Sequence, residues 1–303
     1  MTVFTTKSWM YDESCDRKAL ERALRAGSLV RLRRGVVMPL EEITVWELHR
    51  RRIDAAALKI NRGTFFALQS AGLLHGLPVR ITGNLRVQVF RTMGGRHTKN
   101  HLLQATPAVL EDDDVELIDG LPTTSLRRTA VDLIRRLPFP DAVAIADAAL
   151  RRGLTRDELA TPSGYGHARA TRVVAFGNGA SESFGESYSR ALMSLANIPI
   201  PQLQVDHYAG DGRFLGRPDF DWGAKVVGEY DGGGKYDGSY GVDPRTAIEA
   251  EKLRHQAFAD EGYTVVRWIW KELQVPGLVQ DRIRRALAAR VWPAASSVER
   301  GLP

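Results

Sequence analysis

Acidic residues set inside short apolar strands constrain this chain more than any other feature. The stretch from Arg217 to Tyr236, Arg-Pro-Asp-Phe-Asp-Trp-Gly-Ala-Lys-Val-Val-Gly-Glu-Tyr-Asp-Gly-Gly-Gly-Lys-Tyr, holds four of them. Two strand-like runs meet there at a turn, with Asp219 and Asp221 on the first and Glu229 and Asp231 on the second. A carboxylate in such a run is costly to bury unless a positive group pairs with it. Strand side chains alternate, so Glu229 and Asp231 share a face with Lys225 and Val227. If Asp219 on the neighbouring strand reaches that face, three carboxylates converge. A hard divalent cation such as magnesium is the usual way to hold such a group together, and a metal so held activates water and neutralises phosphate charge in phosphodiester hydrolysis. The same residues also have a plain reading, because Asp-Gly is a common turn dipeptide and Asp231-Gly232-Gly233-Gly234 can simply be the loop after a strand.

The order of elements around the acids narrows the choice. Upstream, Ser181 to Arg190 opens a helix running to about Ala196, with serines able to cap it. A strand candidate follows at Gln202 to His207, then a hairpin turn at Ala209-Gly210-Asp211-Gly212 and the Arg-Pro-Asp-Phe strand. Beyond the glycines the pattern predicts a helix over about Pro244 to Glu261, a strand over Tyr263 to Ile269, and a last helix after Gln274. Helix, three strands, helix and strand make a compact α/β unit.

These residues in this order resemble the restriction-endonuclease-like PD-(D/E)xK superfamily, and within it the branch related to very-short-patch mismatch-repair endonucleases. The resemblance runs from near Gly179 to near Arg290. It rests on Glu186-Ser187 with Arg190, Arg217-Pro218-Asp219-Phe220, Glu229-Tyr230-Asp231-Gly232, Glu251-Lys252-Leu253-Arg254, and Gly262-Tyr263 through Val266-Arg267-Trp268. It implies an α/β domain with a mixed central sheet, Mg2+ or Mn2+ as cofactor, and Asp219 and Glu229 as metal ligands with an assisting acid at Glu186. The superfamily's lysine, two residues after the second-motif acid, is Asp231 here. Relatives in the branch often carry the same Asp-Gly, commonly with a histidine a few residues on, where this chain has Lys235 and Tyr236. Two readings of Lys235 stay open: it supplies the missing positive charge from the loop, or it is a solvated loop lysine.

Composition agrees with a globular chain of more than one domain: 303 residues, 44% hydrophobic. No run of about 18 apolar residues and no charged-then-apolar leader are present, so a cytoplasmic location without membrane contact is expected. Cys15 stands alone, which excludes an internal disulfide framework, and the seven scattered histidines give no zinc spacing. A net charge of +6 and a pI near 9.5 favour polyanionic partners, although an arginine-rich composition has other origins too.

At the N-terminus, Asp16 to Ala26 reads as a helix with Leu20, Ala23 and Leu24 on one face, stopped by Gly27. Leu29 to Leu32, the turn Arg33-Arg34-Gly35, and Val36 to Met38 then read as a hairpin. A helix followed by a basic-tipped hairpin is how a winged helix ends, with Arg25, Arg31, Arg33 and Arg34 as the expected DNA contacts. A small packing unit with solvated arginines is the plain alternative. The segment resembles the winged-helix domain of abortive-infection-type antitoxins. So does Ser70-Ala71-Gly72-Leu73-Leu74-His75-Gly76-Leu77-Pro78, where His75 is expected to be packed.

Between these ends, a helix is expected over Glu41 to about Asn61 with Trp46, Leu48, Ala55 and Leu58 apolar, and a second over Thr64 to His75. Strands are expected at Leu85 to Phe90 and Val115 to Ile118, with Glu111-Asp112-Asp113-Asp114 as a solvated strand entry. A helix capped by Thr124 or Ser125 follows. The expected organisation is a winged-helix-like DNA-binding module at 1–40, an antitoxin-like α+β scaffold at 41–165, a linker at 166–178, the nuclease-like domain at 179–290 and a tail at 291–303. The expected function is a metal-dependent DNA endonuclease that cuts or nicks. The alternatives are a non-catalytic DNA-binding transcriptional regulator or antitoxin on a degenerate nuclease fold, and a C-terminal half serving only as a partner-binding module. DNA is the expected partner; a second copy of the chain and a toxin or repair protein are left open.

Overall fold

The computed structural model describes residues 4–6, 16–92, 97–161, 163–232, 253–254 and 256–291. The chain forms two compact units, Met1–Leu137 with Leu154–Ala175, and Pro138–Gly153 with Phe176–Pro303. Both mix helices and strands, so the expected multi-domain α/β class holds at that level.

In the first unit, strand β1 (Phe4–Thr5) precedes helix α1 (Arg17–Arg25), and strands β2 (Leu29–Arg33) and β3 (Val36–Pro39) follow as a hairpin, in sheet order β1-β3-β2. The helix begins where Asp16 Oδ1 accepts the Ala19 amide at 2.8 Å. It ends before Gly27, whose φ of 74° favours a residue without a Cβ. Leu20 packs on Leu29 and Val37, with Ala23 and Leu24 beside them, the face expected from periodicity.

Helix α2 (Val45–Ala57) starts at a capping box between Thr44 and Glu47. Its buried face differs in part from the expected one: Ala55 is buried as expected, but Trp46 and Leu58 are 49% and 50% exposed, and His49, Ile53 and Ala56 are buried instead. Ile53 and Ala56 pack on the adjoining sheet, His49 meets Ser70, and Trp46 stays at the edge because its indole N–H donates to Val79 O at 3.2 Å.

That sheet has six strands: β4 (Thr64–Phe66), β5 (Val87–Arg91), β6 (Thr98–Lys99), β7 (Leu103–Pro107), β8 (Val115–Ile118) and β9 (Leu121–Thr124), in the order β6-β7-β5-β4-β9-β8. It is mixed, with β5–β7 and β4–β9 parallel. The helix expected over Thr64 to His75 therefore divides. Thr64-Phe65-Phe66, β-branched and aromatic, pairs with β5 and β9. The chain turns at Leu68 with φ 54°, and only Leu68–Leu74 forms helix α3. His75 is packed as expected, with Nε2 2.7 Å from Thr124 O.

Helix α4 (Leu126–Arg136) is capped by Ser125, whose Oγ accepts the Arg128 amide. Of the acidic run, Glu111, Asp112 and Asp113 are exposed as expected, and only Asp114 departs from that. Asp114 is 6% exposed and is held by Arg127 at 2.9 Å and Arg128 at 2.7 Å, while Arg128 and Arg136 share Asp132. After helix α5 (Phe139–Arg151), which belongs to the second unit, come α6 (Arg156–Leu159) and α7 (His167–Phe176), so the stretch 166–178, read as a linker or joining helix, is mostly helical.

In the second unit, α5 packs on helix α8 (Phe184–Leu195) through a buried pair: Asp147 receives Arg190 Nη2 at 2.9 and 2.8 Å and also the Asn178 amide at 2.7 Å. This draws 139–151 out of the scaffold expected at 41–165. Strands β10 (Gln202–Leu203), β11 (His207–Tyr208), β12 (Phe214–Gly216), β13 (Phe220–Asp221), β14 (Val226–Asp231) and β15 (Thr264–Ile269) follow, then helices α9 (Trp270–Leu273) and α10 (Leu278–Val291). The central sheet runs β10-β13-β14-β15, with β14 and β15 parallel and the other pairs antiparallel, and β11-β12 forms a separate hairpin. Val226 faces Met193, Trp268 and Ile283, whereas Val227 faces Leu215 and Phe258. Strand β14 is therefore apolar on both faces over its first half, which accounts for the unbroken Val-Val-Gly. Residues 253–254 and 256–260 are helical, and the rest of the helix expected over 244–261 lies outside the described residues, as does the tail beyond 291. Among the described residues no helix is long and apolar enough to cross a membrane.

Candidate functional site

The acids of the second unit meet where β14 leaves its apolar half. Glu186 sits in the first turn of α8, where Ser183 Oγ accepts the Glu186 amide and the Glu186 carboxylate reaches back to the Glu182 amide at 2.8 Å. A helix N-terminus favours negative charge, so this 6%-exposed carboxylate is held by its own helix. Close approach of α8 to the sheet depends on Gly185, because a Cβ there would run into the Tyr230 ring. Asp219, just before β13, accepts the Tyr230 amide at 2.7 Å. Gln204 joins the two acids: its Nε2 donates to Glu186 Oε2 at 3.1 Å and to Asp219 Oδ1 at 3.4 Å. Gln204 adopts φ 54° between β10 and β11, and its amide donates to Asp219 O. A left-handed conformation is costly for a residue of this type, so the turn is fixed by its surroundings.

Burial pushes the Asp219 carboxyl up to about 6, with the Glu186 and Glu229 charges adding to it and the Tyr230 amide and Gln204 opposing it. Two acids thus crowd together, among the described residues without a cation directly on either, and a pocket of about 190 Å³ opens beside Asp219.

Glu229 borders the same pocket but is differently placed. The parallel register sets it opposite Arg267, whose Nη2 lies 2.8 Å from its carboxylate, and Arg254 Nη2 approaches at 3.3 Å. Asp231 lines the pocket at the end of β14, and at its mouth Arg217 pairs with Glu182 at 3.1 Å. Lys235 lies outside the described residues. The structure thus brings Asp219, Glu229 and Asp231 to one pocket, with Glu186 joined to Asp219 through Gln204 and the strand alternation setting Glu229 on the Val227 side of β14. Among the described residues no group of three or more His, Cys, Asp or Glu side chains is arranged to hold a metal ion. Among the described residues Glu229 is taken by two arginines, whereas Asp219 and Glu186 are bridged by the neutral Gln204 amide.

Gln204 and the arginine pair on Glu229 were not anticipated as site residues. Arg267 is two positions beyond Val265 on an alternating strand, so its face was readable, but its partner depends on a register linking segments far apart in sequence.

The four expected DNA-contacting arginines lie in the first unit. Arg25 is exposed, 3.9 Å from Glu21, and Arg31 and Arg34 are also exposed. Arg33 is half-buried, with its Nε out of contact with solvent.

No family model matches the sequence. Two curated relatives, the uncharacterized proteins MT2308 and Rv2248 from two strains of Mycobacterium tuberculosis, are each 29% identical over 181 residues, which is 57% of this chain. The chain spans 64% of their length. A crystal structure of the RV2827C protein from Mycobacterium tuberculosis aligns with a TM-score of 0.40 and 16% identity, covering 69% of this chain and 84% of that one.

Proposed function

We propose that the second unit is a metal-dependent phosphodiesterase module acting on DNA, cutting or nicking, with the basic N-terminal helix and hairpin as a DNA-holding module of winged-helix type. The observation that carries this reading is the Asp219–Glu186 pair, two crowded carboxylates beside an open pocket with Asp219 raised to about 6. Perturbed acids in a cleft are common at functional sites. Asp219 and Glu186 would hold Mg2+ or Mn2+, which when bound supplies water activation and neutralisation of phosphate charge. Gln204 keeps the two carboxylates in register through its amide. Arg254 and Arg267 bring the positive charge that Asp231 does not, and planar guanidinium groups suit a phosphate as well as they suit Glu229. Release of Glu229 from them would add a third carboxylate next to Asp219.

The arginine clamp on Glu229 also favours the second reading, a DNA-binding regulator or antitoxin that keeps the fold without catalysis. Incubation with supercoiled plasmid and mismatched duplexes in magnesium, manganese or EDTA separates the two. The nuclease reading expects nicked or linear product only with metal, and none from Asp219→Ala. An intact plasmid together with salt-sensitive retardation of DNA in a gel would leave the regulator.

A further inference from the structure

The first unit holds a second pocket, of about 260 Å³, between the hairpin and the edge of the six-stranded sheet. Arg33, Arg34, Lys59, Arg91 and His101 line it, and no carboxylate among the described residues does. Elsewhere in this unit several arginines are matched to acids, Arg50 to Asp54 and Asp119, Arg51 to Glu41, Arg127 and Arg128 to Asp114, and others, such as Arg52 and Arg135, to backbone carbonyls. Around the pocket no acid among the described residues pairs with Arg33, Arg34 or Arg91. Arg33 Nε is buried without a hydrogen-bond partner, and burial lowers the pKa of its guanidinium with no acid to restore it. Arg91 donates to the neutral Thr98 hydroxyl at 3.3 Å. Like charges gathered in a concave, partly desolvated place are unfavourable until an anion joins them. The remaining wall combines the aliphatic Ala56, Ile60, Leu102 and Leu103 with the neutral polar Asn61, Thr64 and Asn100.

From this combination we infer that the pocket binds a phosphoryl group carried on one nucleotide, with Arg33, Arg34 and Lys59 on the phosphate and the aliphatic wall against the sugar or base. Its volume lies below the roughly 300–1,000 Å³ of sites for larger ligands, which suits a single nucleotide, either free or at the end of a strand. The inference is independent of the acidic pocket in the second unit.

The test uses the full chain in EDTA, so that no strand is cut. Binding of two single-stranded oligonucleotides identical except for a 5′-phosphate or a 5′-hydroxyl is followed by fluorescence anisotropy, and AMP binding by calorimetry. Charge-assisted hydrogen bonds to the terminal phosphate predict about tenfold tighter binding of the phosphorylated strand. AMP binding as tightly as the strand identifies a free nucleotide as the source; a strand binding more tightly than AMP identifies a strand end. Arg33→Gln and the exposed, fold-neutral Lys59→Gln should each abolish the preference, and Asp219→Ala should keep it. Equal binding of the two oligonucleotides with no heat from AMP overturns the inference, as does a preference that survives both substitutions.

Discussion

Two acidic clusters, one in each unit, contain similar residues and have opposite character. In the first, Asp114 and Asp132 are met by Arg127, Arg128 and Arg136. In the second, Asp219 and Glu186 press on each other through a neutral glutamine amide beside an open pocket, and the arginines go to Glu229 instead. Matched charges hold a helix to a strand entry. An unmatched pair costs stability, and folding alone gives no reason to keep it. The Asp147–Arg190 pair marks the matched extreme, with both side chains almost fully buried.

The contrast can be broken by substitution. Asp147→Ala leaves Arg190 buried and uncompensated, and an unfolding free-energy loss of about 3–5 kcal/mol is expected in denaturant titration. Asp147→Leu combined with Arg190→Met should recover much of it, and an equal loss in the double variant would show that the charge pair is not what matters.

His49 sharpens the comparison, because it escapes an unmatched charge by staying neutral: burial, helped by Arg52, pulls it down to about 4, and its Nε2 lies 2.9 Å from Ser70 Oγ. The folded value lies below the unfolded one of about 6.5, so stability is full above that pH and falls as the pH drops towards 4. The loss is about 3 kcal/mol in all. Urea titrations between pH 7 and 4 should show this slope, and His49→Gln should flatten it.

Asp219 has the opposite sign. Its folded value near 6 exceeds the unfolded 3.8, so the favourable contribution is complete below about 3.8 and is lost as the pH rises through 6. At pH 7, Asp219→Asn, which keeps an acceptor for the Tyr230 amide, should stabilise the protein by about 1–3 kcal/mol. A lower melting temperature for this variant would place Asp219 with the matched, structural acids. The smallest effect, a loss of about 1–2 kcal/mol, is expected for Asp114→Asn, since Arg128 keeps Asp132.

What was legible in the sequence was local. The helix from Asp16 to Gly27 with its Leu20 face, the hairpin around Gly35 and the placement of Glu229 on the Val227 side of β14 follow from local periods and turn residues that need no knowledge of distant segments. What was not legible depended on partners far along the chain. Trp46 looks like a core residue by its type, yet Val79 O holds its indole at the edge. Thr64 to Phe66 joins a helical pattern until β5 and β9 claim it as a strand. Arg267 meets Glu229 only because β14 and β15 run parallel in one register. Strand order, and with it the electrostatics of the candidate site, is a long-range property.

The division into units has a consequence for synthesis and for dissection. The chain enters the second unit at Pro138, returns to the first at Leu154 and enters the second again at Phe176. Asp147 therefore emerges from the ribosome well before Arg190, and α5 has no counter-charge to dock on until α8 is made. A fragment beginning at Phe176 would carry the whole acidic pocket and yet present Arg190 to a missing helix. Neither half can be excised with one cut, and an isolated C-terminal fragment that proves insoluble or inactive would report this interleaving before it reported anything about chemistry.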